Sequence, residues 1–360
     1  MVDANACPRP APALLPALGA MTWLQALVAL ALFAPGVALL AAVLGLGRIV
    51  WWTEAAWVGW ALVGAIVLLA AALTIEHNRS NPLINTRWLT GADMLRLFGA
   101  ILLIRMVLSE QTSGAVGFLT VVGLGPDQLH GLFVVILLAM IAGTAVSAFT
   151  LNMEKLNKPI AIALGLIAVG AFIDSHATVL TRPAQLYLSQ AMIAFASAMF
   201  IGPALMIGIS RVLQQGKENL ISFIVMFSVL QNVGGLAGGA LTGTLQIVRE
   251  KYHSNQLAAD IVASDPQVTQ RLAQLSGAYS HTITDPALLR AEGVALLSRQ
   301  VTQQANVLAY DDVFRIIAVL AALGCAWVTV THLRPRWRAR AEARRTARTP
   351  DASVVSAAVD

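Results

Sequence analysis

Long apolar stretches recur along this chain, and each is about long enough to cross a lipid bilayer as a helix. A transmembrane helix needs about 20 mostly apolar residues. Eight runs of roughly that length follow one another: 23–46, 55–75, 95–122, 129–150, 159–174, 184–208, 220–248 and 312–333. The bilayer core offers no water to satisfy the backbone, so each run is expected to be helical. The sequence therefore predicts an all-α integral membrane protein with about eight transmembrane helices.

The composition excludes a soluble globular protein of this size. Apolar residues make up 57% of the 360 residues and charged residues only 12%, against about 45–50% and about 25% in soluble domains. The two cysteines, Cys7 and Cys325, offer neither a disulfide framework nor a metal-ligand spacing. The six histidines are scattered without a partner at catalytic spacing: His77, His130, His176, His253, His281 and His332. We therefore expect no enzyme activity, no metal and no cofactor.

Positive charges predict the orientation in the membrane, because Lys and Arg in short loops stay on the cytoplasmic side. Seven arginines and a single acid, Glu342, follow the last apolar run: Arg334, Arg336, Arg338, Arg340, Arg344, Arg345 and Arg348. The loops with Arg79 and Arg87, Lys155 and Lys158, and Arg211 and Lys217 fall on the same side. The opposite short loops hold only Arg48 and Arg182. Both termini are therefore predicted to be cytoplasmic.

This topology divides the chain into consecutive segments. They are a Pro-rich cytoplasmic N-terminus (1–22), two spans (23–75), a cytoplasmic loop (76–93), six further spans (94–333) and an Arg-rich cytoplasmic tail (334–360). We interpret the tail as a topology anchor rather than a nucleic-acid site, although its charge also suits anionic membrane lipid.

One large extramembrane segment, 249–311, is predicted to lie outside. Asp265-Pro266 and Asp285-Pro286 each resemble a helix start, in which a capping acid precedes a proline at the first helical position. The second of these predicted helices can run directly into the last span. We expect the segment to form a helical cap on the outer face.

Two full charges lie inside the third apolar run. Counted from Met94 at 1.5 Å per residue, Arg105 lies about 16 Å and Glu110 about 24 Å into a core of about 30 Å. Charges at that depth are costly unless they face a partner or a watery cavity, and they often mark a transport path or proton relay. The two are separated by about 140° around the helix, so they cannot neutralise each other within it. They are candidates for proton coupling, and the alternative is a buried ion pair that fixes packing.

Other polar and small residues in the spans form a second group of candidates. Amides in the spans need partners from another helix or from a bound solute, which makes them candidate cavity residues: Gln111, Gln190, Gln231 and Asn232. Glycines four residues apart allow close helix packing: Gly234, Gly235, Gly238, Gly239 and Gly243. Gly202 and Pro203 are predicted to bend their helix and are a candidate hinge.

Several segments resemble one known family. The order PAQLYLSQAMIAFASAMFIGPALMIGI, then LISFIVMFSVLQNVGGLAGGALTGT, then RQVTQQANVLAYDDVF before the final span is similar to the last three spans of EmrB/QacA-type transporters. These are the fourteen-span drug:proton antiporters of the major facilitator superfamily. The stretch HNRSNPLINTRWLTG resembles the loop after their eighth span. The similarity covers about residues 20 to 335.

The resemblance implies a fold, a function and partners. The first two spans would be the two extra central helices, and the other six the C-terminal half of a major facilitator fold in a bacterial inner membrane. The implied function is proton-driven export of hydrophobic or amphipathic solutes. The implied partners are a periplasmic adaptor and a six-span N-terminal half. The chain departs from the family in lacking six preceding spans and an Arg within its Gly-rich span. Alternatives are therefore a non-transporting fragment and a membrane scaffold or binding protein.

Overall fold

The computed structural model describes residues 20–346 apart from 80–81, 151–155, 217–218 and 263. For residues 20–26, 157 and 332–346 it describes the backbone alone. Most of the predicted Pro-rich N-terminus and the end of the Arg-rich tail lie outside these ranges. Within them the chain is helical and contains no strand. The protein is thus an all-α protein embedded in the membrane by apolar helices.

Eleven α-helices form the described part of the chain. They are α1 (Ala20–Leu46), α2 (Ala56–Asn78), α3 (Thr86–Leu89), α4 (Ala92–Val107), α5 (Val116–Val121), α6 (His130–Thr150), α7 (Asn157–Asp174), α8 (Tyr187–Gln215), α9 (Leu220–Ala259), α10 (Pro266–Gly277) and α11 (Pro286–Thr346). A π-helical segment, Glu110–Ala115, lies between α4 and α5. Short 3₁₀ turns, Pro126–Leu129 and Pro183–Leu186, precede α6 and α8.

In the described part of the chain, six helical segments are long and apolar enough to cross a membrane. They are Leu27–Leu46, Ala56–Asn78, Pro126–Thr150, Pro183–Gln215, Leu220–Ala259 and Pro286–Thr331. The other two predicted spans are helical but differ from these six. The run 95–122 is divided by the π-helical segment, and α7 has only 18 residues, with polar residues at both of its ends. The count of eight spans therefore stays a prediction.

The core forms where α4 and α7 pack among the longer helices. α7 contacts α8 and α11, while α4 contacts α9 and α11. Fully buried side chains such as Ile104, Leu164 and Ile167 fill the space between these helices. α1 and α2 pack against each other, and α1 also contacts α9. The turn after α1 is joined to α9 because Trp52 Nε1 donates to Thr244 Oγ1 at 2.9 Å.

The two predicted helix starts in the segment 249–311 are confirmed. The carboxylate of Asp265 accepts from the Gln267 backbone N–H at 2.7 Å, and that of Asp285 accepts from the Ala287 N–H at 2.8 Å. In each case proline occupies the first helical position, where its missing N–H costs no hydrogen bond. The second start opens α11, which continues without a break into the last apolar run. The side of the membrane on which this segment lies stays a prediction.

The glycines of α9 allow a close approach to α4. A Cβ added at Gly238 would lie 2.8 Å from Met106 Cα, and one added at Gly234 would lie 2.7 Å from Arg105 Cβ. Both distances are too short for a side chain, so these two glycines are required by the packing. Gly239 differs from them, because a Cβ there would make an ordinary 3.5 Å contact with Ser113 Oγ.

The predicted hinge lies inside a continuous helix. α8 runs from Tyr187 to Gln215 through Pro203, whose side chain is buried. Proline has no N–H to donate to the preceding turn, which weakens the helix locally. A hinge function for Gly202 and Pro203 stays a prediction.

Candidate functional site

The π-helical segment places Glu110 at the centre of the helix bundle. Such segments are rare and frequently occur at functional sites. Within it, Gly114 allows α11 to approach, since a Cβ there would lie 2.8 Å from the Phe314 ring. Glu110 begins the segment, and 0% of its surface is exposed. The sequence thus interrupts an apolar span to bury a carboxyl group.

The partner of Glu110 is the amide of Gln190, near the start of α8. Gln190 Nε2 donates to the two oxygens of Glu110 at 3.0 and 3.3 Å. The same nitrogen donates to Asp174 Oδ2 at 2.7 Å. One N–H serves each carboxyl group, so the amide joins two acids from different helices. Because both accept from the same nitrogen atom, the two carboxyl groups are close neighbours.

Further contacts fix the positions of Gln190 and Asp174. The Ser189 hydroxyl donates to Asp174 Oδ1, and Gln111 Nε2 donates to the backbone carbonyl of Gln190 at 3.1 Å. Both Asp174 and Gln190 are only 1% exposed. The remaining amide oxygen, Gln190 Oε1, is buried and has no hydrogen-bond partner among the described residues. The carboxyl pair, defined as Glu110 and Asp174, is therefore buried and surrounded by polar side chains within an apolar bundle.

The electrostatics of the carboxyl pair favour proton binding. Two negative charges held next to each other away from water repel more strongly than they would in bulk solvent. Neither carboxyl group forms an ion pair with a described Lys, Arg or His. A proton shared between the two groups removes one of the charges, as in other pairs of adjacent acids. The arrangement is chemically able to bind and release a proton.

Arg105 lies on a different face of α4 and does not contact Glu110. Its Nε donates to the backbone carbonyl of Gln231 in α9 at 3.0 Å. Its guanidinium lies beside Gly235, where an added Cβ would be 3.2 Å from Nη2. None of the ion pairs formed by the described residues contains Arg105 or Glu110, so the alternative of a buried ion pair is not what the geometry shows.

The predicted cavity amides divide between two places. Gln111 and Gln190 belong to the carboxyl pair's surroundings. Gln231 and Asn232 lie on α9 near Arg105, and Asn232 Nδ2 donates to the Ser228 carbonyl of its own helix at 2.9 Å. Asn232 is exposed on the surface of the chain. The α4–α9 seam, defined as Arg105, Gln231 and Asn232, is therefore a polar strip separate from the carboxyl pair.

Sequence reasoning missed Asp174 and Ser189. Asp174 ends a short apolar run and was therefore interpreted as the boundary of a span. Ser189 directly precedes Gln190, but the spacing of the serines in this helix does not distinguish Ser189 from the others. The available signal was that an acid stands at the very end of the shortest predicted span, where it can still reach the interior.

A second charged cluster connects α9 with α11. Asp312 Oδ2 accepts from Arg249 at 2.6 Å and from His253 Nε2 at 2.7 Å. Arg315 lies 3.5 Å from the other oxygen of Asp312. Every charge in this cluster has an opposite neighbour, so its geometry is that of a structural contact between two long helices.

Comparisons with known proteins give no identification. No protein-family model matches the chain, and no curated protein matches it. The resemblance to fourteen-span antiporters therefore stays a hypothesis.

Proposed function

We propose that this chain takes part in proton-coupled export of hydrophobic or amphipathic, drug-like solutes across a bacterial inner membrane by alternating access. The observation that supports the proposal is the buried carboxyl pair. Glu110 follows α4 and Asp174 ends α7, so the pair joins two different parts of the bundle. Intramembrane acids are rare, costly and usually functional. In this proposal, the carboxyl pair binds the coupling proton.

The amide of Gln190 gives the carboxyl pair two modes of hydrogen bonding. With Nε2 directed at the acids it donates to them, which stabilises an ionised carboxylate. If the amide were reversed, Oε1 would accept a hydrogen bond from a protonated carboxyl group. This oxygen, which is buried without a partner among the described residues, would then have one. A shift of α8 relative to α4 would change these distances and so favour release of the proton.

The α4–α9 seam is the proposed contact for solute. Arg105 is half-buried, and Asn232 is exposed within the apolar segment Leu220–Ala259; lipid chains offer no hydrogen bonds to such a side chain. A polar strip of this kind suits a water-filled cavity or a partner surface better than lipid. In the proposed transporter this strip faces a six-span partner half, and a periplasmic adaptor is a further possible partner.

Transport measurements in inside-out vesicles that contain the chain together with a co-expressed six-span half test the role of the carboxyl pair. We expect Glu110→Gln and Asp174→Asn each to abolish efflux driven by a pH gradient while preserving membrane insertion. Solute exchange without a gradient should remain, because neutral amides keep the shape of the site. Asp93→Asn is the matched control, since the Asp93 side chain is 65% exposed, and it should retain coupling.

Two results would contradict the proposal. Wild-type coupling in the Glu110→Gln, Asp174→Asn double variant would remove the carboxyl pair from the proton path. Absence of transport both by the chain alone and with a co-expressed six-span half would favour a non-transporting fragment or a scaffold. Infrared difference spectra give an independent measurement, because the protonated-carboxyl band should disappear in the double variant.

A further inference from the structure

Two adjoining depressions lie at the end of α2. The first is a polar pocket of about 380 Å³ whose lining includes Glu76, Arg79 and Arg87. The second is an apolar groove of about 640 Å³ between α2, α4 and α9, whose lining includes Leu73, Leu95, Phe98, Met226 and Leu230. His77 and Thr86 line both depressions. The two depressions therefore adjoin at a shared wall, in which His77 Nδ1 and Thr86 Oγ1 are hydrogen-bonded at 2.9 Å, and together they form an amphipathic surface.

The polar pocket carries an excess of positive charge. Its acid, Glu76, is only 2% exposed and is fully engaged. Glu76 Oε2 accepts from the backbone N–H groups of Leu83 at 2.6 Å and Ile84 at 3.1 Å, while Oε1 accepts from Arg79 at 2.7 Å. Arg87 is exposed, and no ion pair among the described residues contains it. The pocket thus offers one cation beyond those that its own acid neutralises.

The apolar groove runs along helices that lie in the membrane. Leu73 belongs to the apolar segment Ala56–Asn78, and the facing residues Met226 and Leu230 belong to Leu220–Ala259. Leu95 is 54% exposed in the groove. Lipid-facing apolar walls that end at a cationic pocket reproduce the order of groups in a phospholipid, with acyl chains below a phosphate.

We propose that this site binds one anionic phospholipid from the leaflet on the side of the 76–93 loop. The phosphate lies against Arg87, and an acyl chain occupies the groove. Charge decides against an amphipathic cation, because the pocket is already positive. The adjoining apolar groove decides against a free anion, which would use only the polar pocket. The site does not depend on the proposed transport function.

The bound lipid would stabilise the junction between the loop and the bundle. The loop is attached to α9 by a hydrogen bond from the Asn85 backbone N–H to Ser222 Oγ at 2.8 Å. It is attached to the end of α8 by Trp88 Nε1, which donates to Gln215 Oε1 at 2.5 Å. A lipid that fills the space between α2, α4 and α9 adds packing at the same place.

Native mass spectrometry of the purified, full-length chain tests the site with two lipids of identical acyl chains. Phosphatidylglycerol should bind at least about fivefold more tightly than phosphatidylcholine, since one surface arginine contributes about that factor. Arg87→Gln should bring the two affinities together. Arg182→Gln, which changes an exposed arginine in another loop, should preserve the difference. Leu95→Ala should weaken both lipids, whereas Leu138→Ala in α6 should not.

Several outcomes would overturn the proposal. Equal affinity for the two lipids in the unaltered protein would exclude selection of the anionic headgroup. An unchanged preference in Arg87→Gln would place the lipid elsewhere. Glycerol phosphate that competes as well as the whole lipid would show a free-anion site, and displacement by a cationic amphiphile would assign the groove to solute. Because the first and third of these use the unaltered protein, poor folding of a variant does not prevent a decision.

Discussion

Replacing Gln190 with methionine should destabilise the folded protein, because the carboxyl pair would lose its shared donor. Methionine has a similar length and no N–H group, so it preserves the packing of α8. The wild-type amide donates one N–H to Asp174 at 2.7 Å and the other to Glu110 at 3.0 and 3.3 Å. The variant leaves both acids buried without these bonds.

The size of the effect follows from these contacts. A hydrogen bond to a charged acceptor contributes about 1.5–3 kcal/mol, and one to a neutral acceptor about 0.5–1.5 kcal/mol. With one shared proton, the carboxyl pair presents one acceptor of each kind, giving a loss of about 2–4.5 kcal/mol. The substitution also removes the unpartnered Gln190 Oε1, which recovers about 1–3 kcal/mol. The midpoints of these two ranges differ by about 1 kcal/mol, so we expect a net loss of about 1 kcal/mol in the free energy of unfolding.

Unfolding by SDS titration in mixed micelles, followed by circular dichroism, measures this loss. Gln214→Met is the control, because it changes an exposed glutamine of the same helix and should alter stability by less than about 0.5 kcal/mol. In the Glu110→Gln, Asp174→Asn background the effect of Gln190→Met should shrink, since the acids are gone. If Gln190→Met is as stable as Gln214→Met, or if the background makes no difference, the carboxyl pair does not depend on this amide.

Three other predictions concern packing, topology and the need for a partner. Gly238→Ala should cost about 1–3 kcal/mol by overpacking against α4, whereas Gly239→Ala, with its 3.5 Å contact, should be close to neutral in the same SDS titration. In a cysteine-free background, a membrane-impermeant thiol reagent should label cysteine at Ser276 and spare it at Ser353 in intact cells, and the reverse pattern would contradict the topology. The chain alone should not confer drug resistance, whereas co-expression with a related six-span half should. Dye transport by the purified monomer in liposomes would show that no second half is needed.

Features that depend on local chemistry were predictable from the sequence. The helix starts at Asp265 and Asp285 follow from a side-chain acceptor next to a proline, which needs no information about distant residues. The close approach of α4 to α9 at Gly234 and Gly238 follows from glycine spacing, although the sequence could not identify the opposing residue as Met106. The eight-span count stays a prediction, because α7 and the divided run 95–122 are helical but are not among the six segments that are long and apolar enough to cross a membrane.

The site itself was only half predictable, and the π-helical segment explains why. Glu110 could be found because a charge in an apolar run is conspicuous, but its neighbours could not be found from a regular helical projection. A π turn adds about one residue per turn, which rotates everything after it by about 100° relative to a continuous α-helix. Gln111 is the second residue of the π-helical segment, and its amide donates to the backbone carbonyl of Gln190. Asp174 enters the site through the packing of α7 on α8, a contact between helices that no periodicity within either helix encodes.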